Sequence, residues 1–453
     1  MDFIMTNNQI REHRYIQQLM DFIDRSPCMY QAIEQATARL AAAGFTALDP
    51  AVPWQPEPGQ GYYLTPGDSA LIAFYPAASP SAPLRLIGTH SDSPALKIKD
   101  RPCFKREGTM QINVEPYGGL IMRSWLDRPL GLAGRLVIAR NGHPECINIA
   151  IEEDLFVIPS LAIHMDRAVN QEGGIAAQNA LIPIYDLAGA GSGDGSPAAD
   201  QLFADLADRL ELKVDDIIGH DLFLFPREQA CLVGRSQDLL SAPRIDNLAM
   251  VDAALTALLN TSLQSSEGKP AAPDCHRVVV VTDCEEIGSS TRTGADSMTV
   301  HNILKRICLS LGGSEEAFWQ SLARGFLLSC DAAHAVHPAF SDVADPTNRP
   351  RLNQGPVIKT AAARSYATDG YSAAVVRLLA RTARVPLQTF HNHSDRRGGS
   401  TIGPLAERWL TLPGADIGNP LLAMHAVREL AGTKDHLWMI RLLTTFFADS
   451  TAL

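Results

Sequence analysis

Hydrophobic residues recur at helical spacing in the first 43 residues and again in three later segments. Apolar positions fall every three or four residues between 10 and 43, where Ser26-Pro27 interrupts the pattern, so two consecutive helices are expected. The same spacing predicts further helices at 247–259, 371–382 and 423–431. Between these predicted helices, the hydrophobic residues follow a different pattern.

Short runs of consecutive apolar residues lie between the helical segments. Such runs are typical of strands that are buried on both faces. Strands are expected at 70–75, 84–88, 277–282, 326–330 and 386–390. Because they alternate with helices, the fold class is α/β, with a mostly parallel sheet flanked by helices.

The pattern changes between residues 101 and 235, where β-like runs stand among many Gly and Pro residues. We therefore predict one α/β domain, made of 1–100 plus 236–453, that is interrupted by a β-rich insert at 101–235. The Gly/Ser-rich segment 188–197 within the insert is expected to be a flexible surface loop.

Composition and charge narrow the class of protein. The chain of 453 residues has 39 Lys+Arg against 50 Asp+Glu and a net charge of −11, which argues against nucleic acid and anionic membranes as partners. It has no apolar run long enough to span a bilayer and no signal-peptide pattern at its start. Its eight cysteines are scattered without a C-x-x-C pair, which is typical of reduced thiols and predicts a cytoplasmic protein.

Polar residues follow the predicted strands at several points, where open α/β sheets bind their ligands. Two of them come after the strand at 84–88, two after the strand at 277–282, and one after the strand at 326–330. One more opens the helix at 247–259, and the last lies near the C-terminus. The set is His90, Asp92, Asp246, Glu285, Glu286, Asp331 and His425.

Five of these residues form a nitrogen and oxygen donor set that suits one or two divalent metal ions. Zinc is the expected metal, with cobalt and manganese as alternatives. His90 and Asp331 are expected to hold one ion, and Glu286 and His425 the other. Asp246, at the start of a helix, is expected to bridge the two ions, since such a pair needs a shared carboxylate.

Two further acids have supporting roles in this scheme. Asp92 is expected to accept the other ring N–H of His90 and thereby fix its tautomer. Glu285 is expected to be the general base that activates a water molecule bridging the metals. A tight turn that starts at Ile287-Gly288 would hold Glu285 away from the metals.

Each feature also has a purely structural interpretation. An Asp-Asn pair at a helix start is often an N-cap, a Glu-Glu pair is usually a solvated surface, and a histidine on a helix is often a core residue. The joint placement of five such groups at strand and helix ends favours a metal site.

The motifs that surround these residues resemble those of the aspartyl aminopeptidase family, in its bacterial form. They follow in the same order along nearly the whole chain. They are Gly88-Thr-His-Ser-Asp-Ser-Pro94, Arg244-Ile-Asp-Asn-Leu248, Glu285-Glu-Ile-Gly-Ser289, Ala333-His-Ala-Val-His-Pro338, Gly355-Pro-Val-Ile-Lys359, Gly399-Ser-Thr-Ile-Gly-Pro404 and Met424-His425.

The resemblance implies a dinuclear zinc exopeptidase that releases N-terminal Asp or Glu from peptides. It implies that 1–100 plus 236–453 form the metallopeptidase catalytic domain. It also implies a homo-oligomer, typically a tetrahedral dodecamer, with the insert at 101–235 as the dimerisation domain.

The resemblance assigns the same metal ligands and the same general base as the residue pattern does, and it adds four residues. His334 is expected to contact the scissile carbonyl or its oxyanion. Lys359 is expected to pair with the carboxylate of the substrate's side chain, with Tyr366 in the same pocket. His164, in the insert, is expected to contact the substrate in a neighbouring subunit's active site.

Two other functions are compatible with the sequence. The same dinuclear site would serve a broader-specificity aminopeptidase or an N-acyl amino acid deacylase, which differ in whether a free α-amine is required. The stretch 360–365, where the chain departs from the family pattern, bears on that specificity. A catalytically silent scaffold is disfavoured, because it would not need a general base beside two metal ions.

Overall fold

The computed structural model describes residues 7–170, 174–188, 201–262, 273–396 and 398–448. The chain divides into two compact units. The first comprises Met1–Asp92, Ala230–Met424 and Glu429–Leu453, and the second comprises Ser93–Gln229 and His425–Arg428. From residue 189 onward, the loop predicted at 188–197 lies outside the described residues.

The secondary structure alternates between helices and strands in the first unit and consists mainly of strands in the second. The helices of the described chain are α1 Asn7–Asp24, α2 Met29–Ala42, α3 Ala177–Ala180, α4 Gln201–Arg209, α5 Ile245–Asn260, α6 Thr299–Ser310, α7 Glu315–Ala323, α8 Gly370–Ala383, α9 Ile402–Leu410 and α10 Thr433–Ala448. The strands are β1 Thr46–Ala47, β2 Tyr62–Leu64, β3 Leu71–Tyr75, β4 Leu84–His90, β5 Ala95–Arg106, β6 Thr109–Tyr117, β7 Leu130–Arg140, β8 His143–Phe156, β9 Ile184–Leu187, β10 Ile217–Pro226, β11 Cys231–Val233, β12 Leu239–Ala242, β13 His276–Thr282, β14 Phe326–Cys330, β15 Ala333–His334, β16 Val357–Lys359, β17 Gln388–Phe390, β18 Gly414–Gly418, β19 Pro420–Leu422 and β20 Glu429–Gly432.

A nine-stranded sheet in the order β1-β2-β3-β13-β4-β14-β18-β16-β17 forms the centre of the first unit. Its four middle strands, β13, β4, β14 and β18, run parallel to one another. Each of the four is buried along its whole length, as expected for strands with both faces covered. Their carboxyl ends therefore meet at one edge, and the predicted mostly parallel sheet is confirmed.

Helix α5 lies in the core of the first unit, since its residues from Ile245 to Leu258 are buried. A network of charged and polar side chains connects α5 to three other helices. The carboxylate of Asp252 accepts hydrogen bonds from Arg39 on α2 at 2.5 Å, from His436 on α10 at 2.9 Å and from Gln18 on α1 at 2.9 Å. Because a buried carboxylate needs such partners, this network fixes the helix whose first turn carries a candidate ligand.

Neutral His276 at the start of β13 makes the fold sensitive to acid. Its Nδ1 accepts the backbone N–H of Ala77 at 3.2 Å, so Nε2, 3.3 Å from the Pro80 carbonyl, carries the proton. Burial lowers the pKa of His276 to about 4. The folded state disfavours the protonated ring. The free energy of unfolding should therefore fall as the pH drops below about 6.5, the pKa of histidine in the unfolded chain, and level off below about 4. Between pH 7 and pH 5 the loss is about 2 kcal/mol.

Urea unfolding at pH 7 and pH 5 measures this loss, with His276→Gln as the comparison. The variant should lose less stability between the two pH values than the unsubstituted protein. An identical pH dependence in both proteins would show that His276 is not the group responsible.

The second unit is built on a six-stranded antiparallel sheet in the order β8-β7-β10-β5-β6-β9. Its limits differ from the predicted 101–235 at both ends. Strand β5 begins at Ala95 and pairs with β6 and β10, so the unit starts earlier than predicted. Strand β11 pairs with β12 in the first unit, so the main segment of the second unit ends at Gln229, and His425–Arg428 joins it from a distant part of the chain.

The helix predicted at 423–431 is wrong. Ala423 and His425 have left-handed backbone conformations, with φ of 57° and 67°, which a helix does not accommodate. The following residues form β20, in which Leu430 and Ala431 pair with β12. Strand pairing therefore overrides the helix propensity of this Ala- and Leu-containing segment.

Candidate metal centre

Three predicted ligands meet at the carboxyl edge of the parallel strands. His90 ends β4, Asp331 directly follows β14, and Asp246 lies in the first turn of α5. The Nε2 atom of His90 is 3.4 Å from Oδ1 of Asp331 and 3.5 Å from Oδ1 of Asp246. One ligand atom from each residue lies within 4.8 Å of the others, and all three side chains are buried.

The other ring nitrogen of His90 faces Asp92, as predicted, although the closest partner is a backbone atom. Nδ1 lies 3.1 Å from the Asp92 carbonyl oxygen and 3.4 Å from its carboxylate. Burial acts to lower the pKa of His90, but its hydrogen bonds to the carboxylates of Asp246, Asp331 and Asp92 raise the pKa well above its usual value. With Nδ1–H directed at the Asp92 carbonyl, Nε2 is the nitrogen available to a metal ion.

The carboxylate of Asp92 has a second function that the sequence did not indicate. It accepts the backbone N–H groups of Glu285 and Glu286, each at 3.1 Å. A short helical turn carries these two acids, and left-handed residues flank it, Cys284 with φ 61° and Gly288 with φ 96°. Glycine is suited to that conformation, so the predicted tight turn after Glu286 is confirmed.

Glu285 is a partly buried acid beside this group of ligands. Burial, together with the neighbouring carboxylates of Asp331, Asp246 and Asp92, raises the pKa of Glu285 to about 8, although His90 acts to lower it. A divalent cation held by those carboxylates would lower the pKa of Glu285 again, because it would stabilise the ionised form.

Asp246 is itself held by residues whose role the sequence does not indicate. Its backbone N–H donates to the carboxylate of Glu429 at 2.9 Å. The side-chain amide of the following residue, Asn247, donates to the Thr89 hydroxyl and to the Cys330 carbonyl, each at 2.9 Å. These bonds tie α5 to the ends of β4 and β14. The Asp-Asn pair was the only signal of this in the sequence.

Lys359 and Tyr366 lie together next to Asp331. Lys359 is 2% exposed, and its ammonium donates to Oδ2 of Asp331 at 3.0 Å and to the Ala332 carbonyl at 3.1 Å. It lies 5.4 Å from the centre of the Tyr366 ring. Burial acts to lower the pKa of Lys359, but the Asp331 carboxylate and its neighbours hold it above its usual value. Lys359 therefore remains a buried cation.

The predicted histidines are distributed over both units. His334 is exposed in the first unit, and its ring meets Phe390 edge-on at 5.7 Å. His164 is exposed in the second unit. His425 also belongs to the second unit, where its Nδ1 lies 3.0 Å from the Gly119 carbonyl.

The residues of the first unit fit a zinc ion in their chemistry. An imidazole nitrogen and two carboxylates converge in a buried place, and neutral histidine with ionised carboxylates is a common donor set for zinc. The ring of His90 is oriented by the contact between its Nδ1 and the Asp92 carbonyl, and ligating histidines generally have such a partner on their other nitrogen. Such a group of donors with a further acid beside it is typical of metal-dependent hydrolases.

Comparison with known proteins also indicates a metal-dependent hydrolase. The family model of aminopeptidase I zinc metalloproteases (M18) matches residues 22–447. A probable M18 family aminopeptidase 2 from Clostridium novyi (strain NT) is 39% identical over 439 residues, which cover 96% of this chain and 98% of the relative.

Solved structures agree over nearly the whole chain. Ape4 in its complex with Nbr1 superimposes with a TM-score of 0.91 at 33% identity, covering 98% of this chain and 87% of that one. The mApe1 dodecamer of S. cerevisiae superimposes with a TM-score of 0.81 at 25% identity, covering 97% of both chains.

The site and these comparisons together define a metal-dependent exopeptidase. The chain belongs to the M18 family of zinc metalloproteases, and it is an aminopeptidase. The family predicted from the sequence motifs is confirmed at this level.

Proposed function

We propose that this aminopeptidase removes N-terminal Asp and Glu from peptides. The observation that carries the proposal is the buried Lys359 cation, which lies 3.0 Å from the candidate ligand Asp331 and beside Tyr366. Lys359 donates two hydrogen bonds within the protein, and its ammonium has a third N–H. A carboxylate is the substrate group that best complements a cation in a buried pocket.

The metal is proposed to be zinc, bound as two ions. His90, Asp246, Glu286, Asp331 and His425 are the proposed ligands, with Asp246 shared between the ions. The Gly119 carbonyl supports His425 in this role, because it leaves Nε2 of the ring to ligate. When bound, zinc would polarise the substrate carbonyl and make water acidic enough to react at neutral pH.

Glu285 is the proposed general base. Its carboxylate would take a proton from the attacking water and return that proton to the amine of the leaving peptide. Asp92 holds the backbone of this turn through two N–H groups, which keeps the base in place. His334 would donate a hydrogen bond to the scissile carbonyl oxygen as negative charge develops on it.

A broader specificity is the second candidate, and one observation favours it. Lys359 already bonds to Asp331 and to the Ala332 carbonyl, so the cation also has a structural function in supporting a ligand. If that function were its only one, the first residue of the substrate would not need an acidic side chain.

Substrates that differ only in charge distinguish the two candidates. The p-nitroanilides of Asp and Asn have nearly the same shape, as do those of Glu and Gln. A charge-assisted hydrogen bond to Lys359 should give the acidic member a kcat/KM about 10- to 100-fold higher. Equal cleavage of Asp and Asn would replace the acidic specificity with the broader one.

The variant Lys359→Met should reduce that ratio towards one. Because Lys359 also supports Asp331, absolute rates are expected to fall for both substrates, and the ratio isolates the charge recognition. Lys213→Met removes an exposed lysine of the second unit and is the matched control. A ratio that is unchanged in Lys359→Met would assign the recognition to another residue.

The enzyme is further proposed to be a cytoplasmic homo-oligomer, in the form of a tetrahedral dodecamer. The dodecameric state of a solved relative supports this proposal. So do exposed apolar side chains on both sides of His164, since such patches commonly mark interfaces. They are Leu161 at 58%, Ile163 at 48% and Met165 at 75% exposure. Light scattering of the purified protein gives the number of copies.

The state of the cysteines supports the cytoplasmic location. All eight lie in the described part of the chain, and none of them forms a disulfide bond. No described helix combines the length and the apolar character that a membrane span requires.

A further inference from the structure

A cavity of about 360 Å³ in the first unit begins at His334 and carries an unusual number of imidazoles. Its lining includes His334, His337, His391, His393 and Arg396. Residues from the segments 334–350, 390–396, 398–399 and 421–424 form its walls. The imidazoles come from two separate segments, so the fold, and not a local sequence repeat, brings them together.

Local hydrogen bonds fix two of these rings in the same tautomer. The Nδ1 atom of His337 accepts the backbone N–H of Ala339 at 3.1 Å. The Nδ1 atom of His393 accepts the backbone N–H of Asp395 at 3.2 Å. In a neutral ring whose Nδ1 is an acceptor, Nε2 carries the hydrogen. Both rings therefore offer an N–H donor, to which Arg396 adds a permanent cation.

The cavity is suited to an anion better than to a metal ion. Among the described residues, the groups whose ligand atoms lie close enough to share a metal include none of the cavity's histidines. The nearby Asp395 carboxylate lies 3.9 Å from Nδ1 of His393, but its side chain is 91% exposed and is therefore screened by water. Within a largely apolar lining, the described side chains thus supply the N–H donors of His337 and His393 and the cation of Arg396.

The position of the cavity indicates which part of a peptide it would bind. Lys359 and Tyr366, the proposed pocket for the first side chain, do not contribute to its lining. His334, the proposed contact of the scissile carbonyl, does. A peptide whose first side chain lies at Lys359 and whose first carbonyl meets His334 would continue into this cavity.

We propose that this cavity is a second acidic subsite, which binds a carboxylate in the leaving part of the peptide. The inference rests on the proposed aminopeptidase function. The carboxylate is either the C-terminal group of a dipeptide or the side chain of an acidic second residue. His393 and Arg396 are the residues assigned to hold it, so the preferred substrates carry negative charge on both sides of the bond that is cleaved.

Two pairs of substrates test the inference and separate the two sources of the carboxylate. Asp-Ala is compared with Asp-Ala-amide, and Asp-Glu-amide is compared with Asp-Gln-amide. In each pair only one member carries a carboxylate in its leaving part. At least one pair should show about a tenfold lower KM for the charged member, the size expected of one charge-assisted hydrogen bond.

The double variant His393→Asn with Arg396→Ala should remove that preference. The ratio within a pair is measured on one preparation, so partial misfolding cancels. His143→Asn, at the exposed first residue of β8 in the second unit, is the control that should keep the full ratio. Single variants at His393 and Arg396 divide the effect between the two residues.

The possible results have distinct meanings. Equal KM values within both pairs, or a preference that survives in the double variant, would overturn the second acidic subsite. Cleavage of no substrate, including Asp-p-nitroanilide, by the unsubstituted zinc-loaded protein would overturn the proposed function and the subsite with it.

Discussion

Replacing Glu285 by Gln should reduce kcat for Asp-p-nitroanilide by about two to four orders of magnitude, the usual contribution of a general base. The amide has nearly the shape of the carboxylate, so the substituted side chain can keep the turn in place, but it cannot accept a proton from water. The two backbone N–H groups that Asp92 accepts do not depend on the side chain. Zinc content should therefore stay at the level of the unsubstituted protein.

Zinc analysis and steady-state kinetics on the same preparation test this expectation. Glu316→Gln, at an exposed glutamate of α7, is the matched control and should keep full activity. Normal activity in Glu285→Gln would remove Glu285 from its role as base. Low activity together with lost zinc would make it a ligand instead.

The second large effect is expected from Asp331→Asn. Asp331 contacts His90 and accepts a hydrogen bond from the buried Lys359. The substitution would weaken a proposed zinc ligand and would leave Lys359 without its counter-ion, which disfavours binding of the metal. Since a metal supplies several kcal/mol of transition-state stabilisation, and each 1.36 kcal/mol is tenfold in rate, activity should fall by about three orders of magnitude or more.

This variant differs from Glu285→Gln in its zinc content, which should be low after dialysis. Excess zinc should restore part of its activity, whereas it should not help Glu285→Gln. Zinc content and activity equal to those of the unsubstituted protein would show that Asp331 is not a ligand.

The strands and the residues at their ends could be predicted from the sequence because each signal is local. A run such as 277–282 has a single interpretation in an α/β chain, and the acids after it fall at the carboxyl edge of the sheet. Asp246 at a helix start was found in the same way. Once several such positions coincide at one edge, a metal site follows from the chemistry of the donors.

The remaining features depend on contacts between distant segments. Asp92 accepts N–H groups from residues almost 200 positions away, and Glu429 holds the backbone of Asp246. His425 was predicted on a helix because Ala, Met, Glu and Leu favour helices, whereas pairing of β20 with β12 forms a strand just beyond it. Sequence patterns do not report such tertiary contacts.

The role of Lys359 could be predicted from the sequence only in part. The resemblance assigned it to the substrate, and its burial next to Asp331 adds a structural function that the sequence did not indicate. The same cation can hold a ligand and recognise a carboxylate, because an ammonium group has three N–H donors.

The most direct test of the account is the release of Asp from Asp-Ala and from N-acetyl-Asp-Ala, before and after removal of metal with a chelator. We predict that the metal-free protein cleaves neither substrate. Added zinc should restore cleavage of Asp-Ala alone, because the free α-amine is required. Cleavage that persists without metal, or that proceeds equally well on the acetylated peptide, would contradict a zinc-dependent aminopeptidase built on His90, Asp246 and Asp331.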